Sequence, residues 1–192
     1  MAEYPIVRLQ VQRGPVKAGR APLRQYGPEA IVSVDRLLAG PRGAVGVGAA
    51  GEEILDVHHQ DHPQSRDRRG NAGVLLMGTG DYVALRARYG DHLTDGIAGE
   101  TVLLDAPAGL ARLDLPPVVT IATADGPLEL HQVRPADPCV EFSRFCLRQD
   151  PSPVVDADVR QALADLDHGA RGYRAVAANA GTVRLGDVVT IG

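Results

Sequence analysis

Val118-Val119-Thr120-Ile121-Ala122-Thr123-Ala124-Asp125-Gly126-Pro127-Leu128-Glu129-Leu130-His131-Gln132-Val133 is the stretch that decides the class of fold. Two β-prone runs, Val118 to Thr123 and Leu128 to Val133, flank Asp125-Gly126. An Asp-Gly pair between such runs signals a hairpin, because the pair accepts the positive φ angles of a tight turn. Upstream, Ile6 to Gln12 alternates apolar and polar residues and reads as a strand ended by Gly14-Pro15. Downstream, Ala175-Val176 and Val183 to Ile191 read as closing strands, with Gly181 and Gly186-Asp187 at their turns.

Helices are few. Thr79 to Tyr89 predicts one, with Thr79 as cap and Tyr82, Leu85 and Tyr89 on one face. Asp156 to Asp167 predicts the strongest, capped by Asp156, faced by Val159, Leu163 and Leu166 and stopped by Gly169. Pro28 to Leu38 fits a short helix or a strand, Thr101 to Asp105 a short strand, and the Gly/Ala-rich Gly43 to Gly51 a loop. Short strands with scattered helices point to a mainly β or α+β, barrel-like domain rather than a doubly wound sheet. The 192 residues predict a single domain, and the 22 glycines and 14 prolines suit a turn-rich chain.

Charge and composition exclude several classes. The net charge of −4 and the lack of tryptophan argue against a nucleic-acid partner. No apolar run approaches the ~20 residues that span a bilayer, and the N-terminus carries no signal pattern, so a cytoplasmic location without membrane contact is expected. Nineteen of the twenty basic residues are arginine. The single lysine, Lys17, lies in a Gly/Pro-rich stretch that suits a Schiff base poorly. Cys139 and Cys146 are too few for a disulfide framework and wrongly spaced for a Cys-x-x-Cys pair.

Three segments could carry chemistry. Cys139 follows the second hairpin strand in Arg134-Pro135-Ala136-Asp137-Pro138-Cys139, and Arg134 and Arg144 flank it. Positive neighbours favour a thiolate, which attacks sulfur donors or ligates a soft metal; the bland alternative is an inert buried thiol. Cys146, among Phe142, Phe145 and Leu147, reads as core. His58, His59 and His62 precede Arg66, Arg68 and Arg69 on a polar stretch. His58 and His62 would suit a metal only on a helix, against which Pro63 argues, while the arginines suit a phosphate or a merely solvated loop. Finally, Tyr89 to Glu100 is a glycine-punctuated loop with His92, Thr94, Asp95 and Glu100, readable as a connector or a ligand loop.

In order, these blocks resemble the MOSC domain, the C-terminal domain of molybdenum cofactor sulfurases, which also occurs as stand-alone bacterial proteins. The resemblance runs from about Leu55 to Gly192, with residues 1–54 as a β-rich extension packed on that core. It is carried by Asp56-x-His58…His62…Arg66, by Tyr89-Gly90…Leu93-Thr94…Gly99-Glu100 and by Arg134…Pro138-Cys139, and it closes on Gly181-Thr182-Val183…Gly186-Asp187. Two positions depart from the family: His62-Pro63-Gln64 stands for His-Gly-Gly, and Thr101 for the Asn of Gly-Glu-Asn. The resemblance implies a MOSC-like β-barrel that binds the molybdenum cofactor, with Cys139 as metal ligand or sulfur carrier. It implies cofactor contacts from Arg66, Arg68, Arg134, Arg144, Thr94 and His58. It also implies a reacting side formed by Cys139, His92 and Glu100. The pyridoxal phosphate domain of the fused sulfurases has no counterpart in this length, so no pyridoxal phosphate site is expected.

Three functions follow. The first is a molybdenum-dependent reductase of N-hydroxylated or similar small molecules, which requires an electron-donor protein. The second is a persulfide carrier served by a cysteine desulfurase. The third is a non-catalytic module binding a small anion.

Overall fold

The computed structural model describes residues 2–192. Its strands are β1 (Ala2–Gln12), β2 (Lys17–Ala18), β3 (Gln25–Tyr26), β4 (Ile31–Ser33), β5 (Arg36–Gly40), β6 (Gly43–Val47), β7 (Glu53–Leu55) and β8 (Val74–Gly78). Helix α1 (Thr79–Tyr89) precedes β9 (Val102–Leu104), β10 (Val118–Thr123) and β11 (Gly126–Pro135). Helices α2 (Val140–Leu147) and α3 (Ala157–Asp165) precede β12 (Tyr173–Ala177), β13 (Gly181–Arg184) and β14 (Val188–Ile191).

Seven strands close a barrel in the order β1-β14-β10-β11-β12-β8-β9, and β9 returns to β1. Closure removes the open edges that would template aggregation. The fold is therefore mostly β with three short helices, an α+β barrel. The β10–β11 hairpin forms where the Asp125-Gly126 pair predicts it, in register from Val118 opposite His131 to Thr123 opposite Gly126.

The barrel is antiparallel except at β8–β9. Parallel neighbours need a crossover, and α1 with the 90–101 loop supplies it. Both faces of this pair are covered. Leu76, Val102 and Leu104 face the barrel core, while Met77 and Leu103 face a second cluster beneath the helices with Tyr82, Leu85, Phe142 and Leu166. This double burial explains the continuous apolar runs of β8 and β9. Cys146 belongs to the second cluster at 1% exposure, and burial pushes its thiol up to about 12.

Several expectations are corrected. Residues 1–54 are more than an extension on a core spanning 55–192, because β1 is itself a barrel strand pairing with β14 and β9. Gly43 to Val47 is a strand rather than a loop, in a four-stranded sheet β13-β5-β6-β7 whose Leu37, Ala39, Ala44 and Val183 join the barrel core. Its glycine at 43 is required: φ is +117°, and a Cβ there would stand 2.7 Å from the His59 Cα. Pro28 to Ala30 is one 3-10 turn leading into β4. Gly78, not Thr79, caps α1, and the Thr79 hydroxyl instead accepts the Ala106 amide at 3.1 Å. In α3 the Asp156 carboxylate accepts the Val159 amide at 2.8 Å, the predicted cap.

Candidate functional site

An open cavity of about 550 Å³ lies between the 56–72 segment, the start of the β2–β3 region and the ends of β11 and β12. Local folding explains how each wall arrives there. The fully buried Asp56 accepts the Gln12 amide at 2.7 Å and the His58 amide at 2.8 Å, tying the segment to the end of β1. Asp67 turns the loop by accepting the amides of Asn71 (2.9 Å) and Ala72 (2.7 Å), which leaves Arg66, Arg68 and Arg69 projecting from its rim. All three line the cavity.

The opposite wall comes from the barrel. The β11–β12 register breaks between His131 and Arg134, where Gln132 takes φ +55°. Bulges of this kind re-aim side chains, and beyond this one Arg134 stands opposite Arg174. Arg171 precedes Gly172, whose φ of +88° turns the chain into β12. Its guanidinium lies 4.8 Å from the centre of the Phe142 ring, a cation–π distance. Arg134, Arg171 and Arg174 line the cavity with Cys139.

Cys139 is half-buried and caps α2, its carbonyl accepting the Ser143 amide at 3.0 Å. The first turn of a helix presents unpaired amides that favour negative charge. Next along, Glu141 is clamped by Lys17 at 3.1 Å and Arg24 at 2.9 Å. Burial raises this carboxyl, but a backbone amide and the two cations outweigh it and hold Glu141 below its ordinary value. The clamp pins the β2–β3 hairpin beside Cys139, with Val16 and Lys17 on the cavity wall.

The cavity is strongly positive in a chain of net charge −4. Six arginines and Lys17 line it against two carboxylates, Asp67 and Asp137. Asp137 pairs with Arg174. The Nε atoms of Arg171 and Arg174 are buried without an acceptor, although guanidinium donors are costly to leave unmatched. Guanidinium groups in such a wall suit oxyanions, which their paired N–H donors can meet bidentately. His58 also lines the cavity, its Nδ1 2.8 Å from Asp56 Oδ1. A carboxylate can only accept, so this contact turns the Nδ1–H of His58 toward Asp56 and fixes the ring.

The structure brings Cys139, Arg66, Arg68, Arg134 and His58 to one cavity and sends the other four candidates elsewhere. Arg144 lies five residues beyond Cys139, about 140° round the helix from it. It is 4% exposed and donates to the carbonyls of Asp150 (3.0 Å) and Val154 (2.6 Å). His92 bonds the Phe145 carbonyl at 3.1 Å and Arg148 at 3.2 Å. Thr94 is exposed in the crossover loop, outside the cavity. Glu100 is 3% exposed and accepts the Tyr82 hydroxyl at 2.7 Å, and burial pushes its carboxyl up to about 7. Arg171 and Arg174 escape a reading of the sequence because they are isolated arginines that only the β11–β12 register brings to the site. The one local signal is their placement around Gly172 at a strand start.

Among the described residues, no three His, Cys, Asp or Glu side chains gather as a metal site. A metal at Cys139 would therefore need its remaining ligands from a bound group. The donor set fits such a group if it is anionic, with six arginines for its oxygens and one thiol for a soft metal.

Fold and cavity define a class: a closed seven-stranded barrel with a cationic, thiol-walled pocket. No family model matches the chain, and no curated protein does. Among solved structures, the chain is similar to the YuaD protein from Bacillus subtilis, with a TM-score of 0.56 and 13% identity over 98% of this chain and 94% of that one. A second similar structure is described as a hypothetical protein, with a TM-score of 0.57 and 13% identity over 99% of this chain and 68% of that one. At this identity the likeness establishes the fold alone.

Proposed function

We propose that the pocket binds the molybdenum cofactor in the manner of a MOSC domain, and that the protein is a reductase of N-hydroxylated or similar small molecules. The observation that carries this reading is the meeting of Cys139 with Arg66, Arg68, Arg134, Arg171 and Arg174 in one cavity. When bound, the cofactor supplies two-electron oxygen-atom chemistry. The chain's own residues hold and orient. Arg66 and Arg68 would grip the cofactor's phosphate through paired N–H donors. Cys139 offers the protein's sulfur ligand, and Asp56 fixes the His58 ring so that Nε2 can take or return a proton at the cavity wall. Electrons must come from a donor protein.

A second reading, the persulfide carrier, draws on the half-exposed position of Cys139 in an open cavity. There the Cys139 thiolate attacks the outer sulfur of a desulfurase persulfide. That sulfur becomes bound to Cys139 as the desulfurase thiolate leaves.

The test is elemental analysis for molybdenum together with cyanide-releasable sulfur. The protein is produced in a cofactor-making host as wild type and as Cys139→Ser. Molybdenum near one per chain, lost in the variant, is the expected result. Releasable sulfur without metal selects the carrier. Neither signal, with the host's cofactor supply verified, leaves a module that binds a small anion.

A further inference from the structure

The arginines of the pocket fall into two banks from different parts of the fold. Arg66, Arg68 and Arg69 belong to the loop turned by Asp67. Arg134, Arg171 and Arg174 come from β11, the turn before β12, and β12 itself. The second bank contains a feature that sheets ordinarily avoid. Arg134 and Arg174 are direct cross-strand partners, and like charges at such positions repel.

The repulsion is only partly met within the protein. Asp137 pairs with Arg174. Arg134 has the neutral Asn71 carbonyl, at 3.2 Å. Arg171 adds a third guanidinium, held on the Phe142 ring. Two Nε donors of this bank are buried with no acceptor. Three cations against one carboxylate leave net positive charge on the cavity wall, which an external oxyanion completes. The bank also adjoins the thiol: Asp137 lies two residues before Cys139, and Phe142 lies in the first turn of the helix that Cys139 caps.

We infer that Arg134, Arg171 and Arg174 form an anion subsite of their own, separate from the loop arginines. The molecule that meets the Cys139 thiol is then itself a small oxyanion or carries one, such as a carboxylate or a phosphate. Only the choice of Cys139 as the reacting centre rests on the function proposed above; the subsite needs no cofactor. A cavity of about 550 Å³ leaves room for a second anionic group beside one held by the loop.

The probe is inorganic phosphate, and the readout is the rate at which iodoacetamide alkylates Cys139 at constant ionic strength set with chloride. Cys146 is shielded in the core and does not compete. Phosphate should slow alkylation of the wild type about fivefold or more, the scale of a charge-assisted site beside the thiol. The Arg66→Gln/Arg69→Gln variant should keep that protection, and Arg171→Gln/Arg174→Gln should lose it. Absence of protection in the wild type overturns the subsite. Equal loss in both double variants overturns its separateness and shows one long cradle. Because Arg171 also packs on Phe142, Arg134→Gln is the companion variant: it spares the ring stack and the Asp137 pair, and full protection in it likewise overturns the inference. Molybdenum content is read separately. Protection by phosphate in a protein that never retains molybdenum removes the proposed function and leaves the subsite standing.

Discussion

The 65–72 loop and the 90–101 loop are both polar, both carry glycines and both adjoin β8, yet they use their polar atoms differently. In the first, the guanidiniums of Arg66 and Arg69 make no hydrogen bond or ion pair among the described residues, and that of Arg68 makes one long contact to the Pro63 carbonyl at 3.4 Å. Only Asp67 is turned inward, to shape the loop. In the second, most of the polar side chains are already engaged. Gln10 and Gln12 reach across from β1 to the carbonyls of Gly96 (2.7 Å) and Gly99 (2.6 Å), Arg86 pairs with Asp95, and Thr101 bonds the Leu75 carbonyl. Glu100 is sealed beneath the loop, where Oε2 accepts the Tyr82 hydroxyl and Oε1 has no partner among the described residues. A side chain whose bonding capacity is met inside the fold has little left for a ligand. The first loop thus keeps free donors at the cavity, and the second fastens the crossover of the parallel strand pair.

The largest test of this contrast is Glu100. Its carboxyl is pushed from an ordinary value near 4.5 up to about 7, chiefly by burial, with the Tyr82 bond pulling the other way. The folded state therefore holds the proton more tightly than the unfolded chain. The stability that Glu100 contributes is fully present below about pH 4.5, falls as pH rises and is lost above about 7. A shift of this size corresponds to about 3 kcal/mol. Glu100→Gln should remove that slope, measured as the difference between urea-unfolding free energies at pH 5 and pH 8. An unchanged pH dependence would mean that the carboxyl is wetter than a fastening role allows.

Asp67 tests the other loop at a smaller scale. Asp67→Ala frees two backbone amides and should cost about 1–3 kcal/mol. It should also weaken phosphate binding at the loop arginines, read by isothermal titration in the Arg171→Gln/Arg174→Gln background, where the second bank keeps Arg134 alone. Stability loss with no change in anion binding would separate the shape of the loop from its function.

The local half of this architecture was legible in the sequence. A hairpin around Asp125-Gly126 and a helix capped by Asp156 are decided within a dozen residues, so propensity and turn chemistry suffice. Helix α2 was missed because Pro135 and Pro138 dominate the reading just before it, and β6 because Gly43, Ala44 and Gly46 hide a strand that packs against a neighbouring sheet. The closing of the barrel by β1, as in Pro5 with Val188, and the pairing of Arg134 with Arg174 depend on partners 183 and 40 residues away in the chain. No local pattern encodes them. Arg144 shows the converse: nearness along the chain to Cys139 suggested a shared site, and the turn of α2 carries it to the other side.

The smallest effects are the sharpest tests of the crossover loop, because a ligand-binding role would make them large. His92 bonds Phe145 and Arg148 at the far end of α2. His92→Ala should lower stability by about 1 kcal/mol through the lost bonds and leave phosphate protection of Cys139 within twofold of the wild type. Thr94 is exposed and its side chain makes no hydrogen bond among the described residues, so Thr94→Ala should fall within about 0.5 kcal/mol of the wild type, with protection again unchanged. Thermal unfolding and alkylation rates on the same samples measure both quantities. If Thr94→Ala left stability intact yet removed protection, the crossover loop would have to close over the pocket in solution. The division between a receiving loop and a fastening loop would then fail at its most exposed residue.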